Sequence, residues 1–201
     1  MKYSLLKFYN LVKKKQIYPG ILQPSNISSF YKHKGQRSDL NNNRGVFNVV
    51  KVRSILDKLI YNDKYEMVDQ SMSCSNLGAR RNKNIRDHLF VINAILNDVT
   101  KRKIDVDIEI MDIAKCFDKM WYEETGNDIY NAGITDDKFV LLANSNLKCQ
   151  VAVKMPWGST TDRVELKRIE MQGTVLAPLK ASVQLDTLGK ECIEENEGLF
   201  K

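Results

Sequence analysis

Apolar and polar positions along the chain sort into a run of short elements. Leu5, Leu6, Tyr9 and Val12 recur at helical spacing and predict a short amphipathic helix. Lys13-Lys14-Lys15 close it, and Pro19-Gly20 marks a break. Residues 23–43 are rich in Ser, Asn, Gln and Lys and read as loop or linker. Arg44 to Val50 is strand-like. Val52, Ile55, Leu56, Leu59 and Ile60 return to helical spacing and predict a helix with one buried face. A polar loop around Gly78 fills residues 70–84. From Ile85 to about Val99 a further helix carries Leu89, Ile92, Ile95, Leu96 and Val99 on one stripe, with Lys101, Arg102 and Lys103 placed to oppose its dipole.

The period then changes. Over Ile104 to Ile110 the even positions are apolar and the odd ones, Asp105, Asp107 and Glu109, are acidic. Strict alternation predicts a strand with those acids on its solvated face. A helix containing Phe117, Met120 and Trp121 follows. Cys149, Val151 and Val153 alternate with polar residues, Pro156-Trp157-Gly158 turns the chain, and Val164 and Leu166 continue on a return strand, so this segment reads as a hairpin. Pro178 suits the first position of a last helix. Leu179, Val183, Leu188 and Cys192 line its inner face, and Gly198 ends it. The sum is an α+β layout, with helices packed on a mainly antiparallel sheet.

Composition adds modest limits. The chain has 201 residues, 43% of them hydrophobic, which is enough for a sizeable core in one large or two small domains. No apolar run is long enough to span a bilayer, and the N-terminus lacks the pattern of a signal peptide. Cys74, Cys116, Cys149 and Cys192 form no zinc spacing, so reduced thiols and an intracellular location, cytoplasmic or nuclear, are expected. The net charge of +6 is uneven: residues 1–40 hold eight Lys or Arg against one acidic residue, and the remainder 23 against 24. Such a basic head suits either a polyanion partner or a solvated tail. A second basic cluster, Arg80, Arg81, Lys83 and Arg86, leads into the helix that starts at Ile85.

Two segments about sixty residues apart carry candidate chemistry: Ile108-Glu109-Ile110-Met111-Asp112-Ile113-Ala114-Lys115-Cys116-Phe117-Asp118 and Met171-Gln172-Gly173-Thr174-Val175-Leu176-Ala177-Pro178. The first reads as a strand delivering a carboxylate to its tip. The second reads as a glycine turn opening a helix. A carboxylate on a stiff element suits magnesium, which prefers hard oxygen ligands, and the backbone carbonyl of Ile113 could add another. Taken alone, Asp112 is better read as the cap of the helix that follows, since Asp is a preferred N-cap residue. Phe117 can serve as ordinary helix core as well as part of a site.

Together these segments resemble motifs A and B of reverse transcriptases. The resemblance implies that Asp112 binds catalytic Mg²⁺ and that Phe117 packs under the sugar of the incoming nucleotide, excluding a 2′-hydroxyl. It implies that Gln172 and Gly173 shape the nucleotide and template pocket, although Ala177 stands where the family has Ser. Asn43-Arg44-Gly45-Val46 is similar to the fingers motif whose Arg contacts the triphosphate, with Gly45 in place of Pro. A guanidinium suits that role because its fork matches phosphate oxygens. Gly78-Ala79-Arg80, followed by Asn84-Ile85-Arg86-Asp87-His88, resembles a segment of non-LTR retrotransposon and group II intron enzymes, with Ala79 in place of Phe. Arg80 and Arg86 would hold template phosphates there.

The resemblance covers residues 41 to 195 and implies a right-hand polymerase: a basic extension over 1–40, fingers over 41–103, and a partial palm over 104–201. The implied partners are an RNA template, a DNA primer and deoxynucleoside triphosphates, with no membrane. The Tyr-x-Asp-Asp hairpin that supplies the family's other metal ligands is not among these residues. The one Asp-Asp pair, Asp136-Asp137, lies between the two motifs and reads as a helix start capped by Thr135. The expectation is therefore a fragment of an RNA-directed DNA polymerase that is inactive by itself. The alternatives are a non-catalytic nucleic-acid-binding remnant of a retroelement and a fragment of an RNA-dependent RNA polymerase, against which Phe117 argues. His33 and His88 have no nucleophile motif near them and give no support to a hydrolase.

Overall fold

The computed structural model describes residues 2–108, 110, 112–135, 139–168 and 170–196, with the side chains of Lys2 and of 192–196 left aside. Among these, seven α-helices surround a four-stranded sheet. The chain opens with α1 (Lys2–Lys15), whose last turn holds the three lysines. The strands are β1 (Ser25–Tyr31), β2 (Asn43–Asn48), β3 (Gln150–Val153) and β4 (Val164–Glu165), in the order β2-β1-β3-β4. The β1–β2 and β3–β4 pairs are antiparallel, and β1–β3 is parallel. The mainly antiparallel sheet and the expected 149–166 hairpin are both present; Val151 pairs with Val164.

Residues 23–43, expected as loop, instead contain β1. Its sequence Ser-Asn-Ile-Ser-Ser-Phe-Tyr has little apolar alternation, because one face is only half buried. Its backbone finds partners on both sides. Asn26 stands opposite Asn48 on β2, and Ser25 opposite Val151 on β3. The basic head thus runs straight into the middle of the sheet.

Helix α2 (Lys51–Ser71) is longer than the apolar spacing suggests. Helix α3 (Ile85–Arg102) starts at a capping box: Asn84 accepts from the Arg86 N–H, and Asp87 reaches back to the Asn84 N–H. Short α4 (Cys116–Lys119) is followed by α5 (Tyr122–Asn131), which carries Glu123 and Glu124 in its first turn. Then come α6 (Phe139–Ala143) and α7 (Ala177–Asn196). Pro178 is the second residue of α7, still inside the turn that has no N–H acceptor to lose.

The main core gathers Val12 of α1, Leu56, Ile60 and Val68 of α2, Ile129 of α5, Leu141 and Leu142 of α6, and Leu179 and Val183 of α7. Each such side chain is worth about 1.5–3 kcal/mol when fully buried. A smaller cluster under the sheet joins Phe47, Cys149, Val151 and Met171. None of the helices in the described residues is long and apolar enough to cross a membrane.

Three expectations are corrected. Residues 104–108 and 110 are irregular and pair with no described strand, so the predicted strand is absent there. Alternation prepares a face, but a strand also needs a neighbour to take its N–H and C=O groups, and this sheet offers none. The stripe on α3 is exposed rather than buried, with Leu89, Ile92, Ile95 and Leu96 open to solvent, because no described element covers it. Leu188 of α7 is also exposed, whereas Leu179 and Val183 face the core as expected. The expectations for Glu109, for Asp136-Asp137, for the Cys192 side chain and for Gly198 fall outside the described residues.

Candidate nucleotide and nucleic-acid site

Strand β2 meets the turn before α7 through one main-chain bond. The Phe47 N–H donates to the Gln172 carbonyl at 3.0 Å. Gly173 follows with φ +97°, a conformation that side-chain-bearing residues rarely adopt. A Cβ there would also stand 3.2 Å from Val46 Cγ1 and 3.4 Å from the Phe47 carbonyl oxygen. Glycine is therefore required twice, once by the turn and once by the close approach of β2. Arg44 lies on the same strand, opposite Phe30, exposed and without a side-chain partner among the described residues.

The segment that carries Phe117 docks beside the same turn. The Glu170 N–H donates to the Phe117 carbonyl at 2.8 Å, and Trp121 forms an antiparallel bridge with Arg168, whose guanidinium lies over the indole. On the other side, Lys115 Nζ donates to Asn41 Oδ1 at 2.8 Å, just before β2 begins. Segments 44–47, 115–118 and 170–173, which overlap the three predicted motifs at 43–46, 108–118 and 171–178, are thus held together around one bend.

Asp112 is exposed and stands three residues before the Lys115 contact. It is carried by irregular chain rather than by a strand tip. Ile113, beside it, lines a cavity of about 130 Å³ with Cys116, Met120, Gln184 and Leu188. Gln184 Oε1 is buried without a hydrogen-bond partner among the described residues. For magnesium, the Asp112 carboxylate and the Ile113 carbonyl are hard donors of the right kind and accessible, so they fit as part of an ion's shell. No group of three His, Cys, Asp or Glu side chains placed for a metal occurs among the described residues.

Of the other two predicted residues, Arg80 lies in the loop between α2 and α3, which packs on α7, and Arg86 lies at the start of α3. Ser182 Oγ donates to the Gly78 carbonyl at 2.6 Å, Asn76 Nδ2 donates to the Ser182 carbonyl at 2.9 Å, and Asp186 accepts from the Ser73 N–H. Arg80 is turned inward. Its guanidinium pairs with the Asp69 carboxylate (2.8 and 3.2 Å) and donates to the carbonyls of Ser73, Asn76 and Asp69. The hydrogen bond from Arg80 is the main reason the Asp69 carboxyl lies below its ordinary range. Arg80 therefore shapes the loop, while Arg86, at the first turn of α3, is exposed.

A buried polar chain, invisible in the hydrophobic periodicity, supports the bend. Tyr18 donates to Asp57 (2.6 Å), Arg53 pairs with Asp57 (3.4 Å) and donates to Asn146 Oδ1 (2.8 Å). Asn146 Nδ2 donates to Glu170 Oε2 (2.8 Å), and Lys180 Nζ to Glu170 Oε1 (3.2 Å). Arg53, Asp57, Glu170 and Lys180 are all at most 2% exposed. Burial pushes the carboxyls of Glu170 and Asp57 up, opposed by Lys180 for the first and by Arg53 for the second. Lys180 was detectable in principle. It sits four residues after Leu176 and three before Val183, on the inner stripe of α7.

No protein-family model matches the chain, and no curated protein matches it. Among solved structures it is similar to apo telomerase from Candida tropicalis, truncated from the C-terminal domain, with a TM-score of 0.52 and 12% identity. The match covers 94% of this chain and 44% of that one. The fold is reverse-transcriptase-like. At this identity the likeness speaks for architecture alone, and the chain spans less than half the length of the telomerase it matches.

Proposed function

We propose that this chain is the fingers and part of the palm of an RNA-directed DNA polymerase, of the kind found in non-LTR retroelements. The observation that carries the reading is the meeting of Phe47 with Gln172 and of Phe117 with Glu170 around Gly173. That arrangement gathers the segments which the reverse transcriptase motifs assign to nucleotide binding. Arg44 would contact the triphosphate, Phe117 the sugar, and Gln172 and Gly173 the nascent base pair. Arg86 would lie along template phosphates, with Arg80 holding the loop that presents it.

Asp112 and the Ile113 carbonyl would hold one side of Mg²⁺. Bound there, the ion would neutralise phosphate charge and lower the cost of the attacking alkoxide. The chain's own residues do the positioning. The Glu170–Lys180 pair and Asn146 fix the 170–173 bend, and that bend fixes Phe117 through its carbonyl. A bulky ring at 117 favours deoxynucleotides, which weighs against an RNA-dependent RNA polymerase. A second reading, nucleic-acid binding without catalysis, is favoured by Asp112 being the one candidate metal carboxylate that the motifs supply.

The test is photo-crosslinking of an azido-deoxynucleoside triphosphate to the full 201-residue chain on a primed RNA template with Mg²⁺. The expected label falls on peptides containing Phe117 and Gln172-Gly173 and weakens for Arg44→Ala. Template binding with no nucleotide label at those peptides supports the second reading. Absence of both defeats each.

A further inference from the structure

A flat cationic platform stands on the outer side of α2. The Arg81 guanidinium lies over the Tyr65 ring, Cζ to centroid 4.2 Å, and is 5.1 Å from the Tyr61 centroid. The two rings neighbour each other at 5.3 Å. The position is fixed from several directions. The Arg81 N–H donates to the Tyr65 hydroxyl at 2.5 Å, that hydroxyl donates to Asp69 at 3.0 Å, and Arg81 Nη2 donates to Asn62 Oδ1 at 3.1 Å. Lys58 Nζ sits 4.5 Å from the Tyr61 centroid.

At 4.2 Å one face of the guanidinium is spent on Tyr65, which is only 5% exposed, while Arg81 itself is open to solvent. The other face is turned away from the ring. Asp69, which accepts from the Tyr65 hydroxyl beneath the stack, is already paired with Arg80. Lys58, Lys83 and Arg86 are exposed around it. A planar cation, pre-oriented by stacking and flanked by lysines, has two complementary ligands in one molecule: the π-face of a nucleobase and the adjacent phosphate. A duplex hides its base faces and cannot use the first.

We infer that Arg81, seated on Tyr65 beside Tyr61 and Lys58, is a stacking site for an unpaired base of single-stranded nucleic acid. The site is separate from the 44–47, 115–118 and 170–173 convergence, and it rests on the nucleic-acid-binding part of the proposed function. It reads the base face and the phosphate, which RNA and DNA share.

The test uses the full chain and short fluorescein-labelled single strands of RNA and of DNA, with a duplex of the same length, followed by anisotropy over a salt series. Arg81→Lys keeps the charge and loses the plane. It is expected to weaken single-strand binding about ten-fold, the size of one lost base stack, with the salt slope unchanged and duplex binding unmoved. Arg81→Ala is expected to lower the slope by about 0.7 as well. A strand carrying 2-aminopurine should lose fluorescence on the wild type and regain it on Arg81→Lys, a readout that a purely structural Arg81 would leave alone. Equal affinity of Arg81→Lys and wild type for single strands overturns the inference, as does wild-type binding confined to duplex. No binding to any probe overturns the nucleic-acid reading itself.

Discussion

The main-chain bond from Phe47 to Gln172 joins residues 125 positions apart and places β2 against the turn that opens α7. Gly173 is what lets them meet. Replacing it with alanine adds a Cβ 3.2 Å from Val46 Cγ1 and forces a side chain into φ +97°. Gly173→Ala is expected to cost about 1–3 kcal/mol in urea unfolding and to abolish nucleotide crosslinking. An unchanged midpoint would show that the turn relaxes without strain.

Glu170 and Lys180 neutralise each other at 1% and 2% side-chain exposure. Glu170→Gln keeps an acceptor for Asn146 but strands the lysine's charge. The expected loss is on the order of 3–5 kcal/mol, read from chemical unfolding. Adding Lys180→Met removes the stranded charge and should recover most of it. If the double variant is as unstable as the single one, the pair is not the origin of the loss.

Acid should weaken the tether between α2 and the following loop. The Asp69 carboxyl lies below its ordinary value of 3.8, chiefly because Arg80 donates to it. A carboxylate with a lower value folded than unfolded binds fewer protons in the fold. Its stabilisation is complete above the unfolded value and disappears as pH falls through the folded one. Wild-type stability is therefore expected to drop below about pH 4 more steeply than that of Asp69→Asn. Parallel acid limbs in thermal melts would remove this pair from the account.

Asp112 is exposed and makes no side-chain contact among the described residues, so Asp112→Asn should change stability by less than about 0.5 kcal/mol. Its effect should appear instead in the Mg²⁺ dependence of nucleotide crosslinking. The wild type should lose labelling on chelation with EDTA, and the variant should already lack the EDTA-sensitive part. Identical titrations for the two proteins would move the ion elsewhere.

By itself, the 201-residue chain is expected not to extend a primer, since its motifs offer one metal carboxylate where two-metal transfer needs more. Incorporation of deoxynucleotides by purified protein, lost in Asp112→Asn, would overturn this.

The parts legible in the sequence were those whose chemistry is local. Gln172-Gly173 announces a turn, the apolar stripe from Ile85 announces a helix, and the 149–166 hairpin follows from alternation about a proline-glycine turn. What stayed hidden depends on partners far along the chain. β1 has no pattern of its own, and it is a strand because β2 and β3 flank it. Residues 104–110 have a strand's pattern without a described neighbour. Arg53, Asp57, Glu170 and Lys180 look like solvated charges one at a time and become core only as a connected chain. Arg80 shows the converse: a cationic motif residue that the fold consumes for its own loop.

The parallel pairing of Ser25–Ile27 with Val151–Val153 sets the order in which the molecule can be made. As the polypeptide leaves the ribosome, β1 and β2 can close only a two-stranded ribbon, which is marginal in water. The third strand begins at Gln150, 119 positions after β1 ends at Tyr31. Until that strand is made β1 keeps one open edge, whose unpaired N–H and C=O groups are a template for another strand.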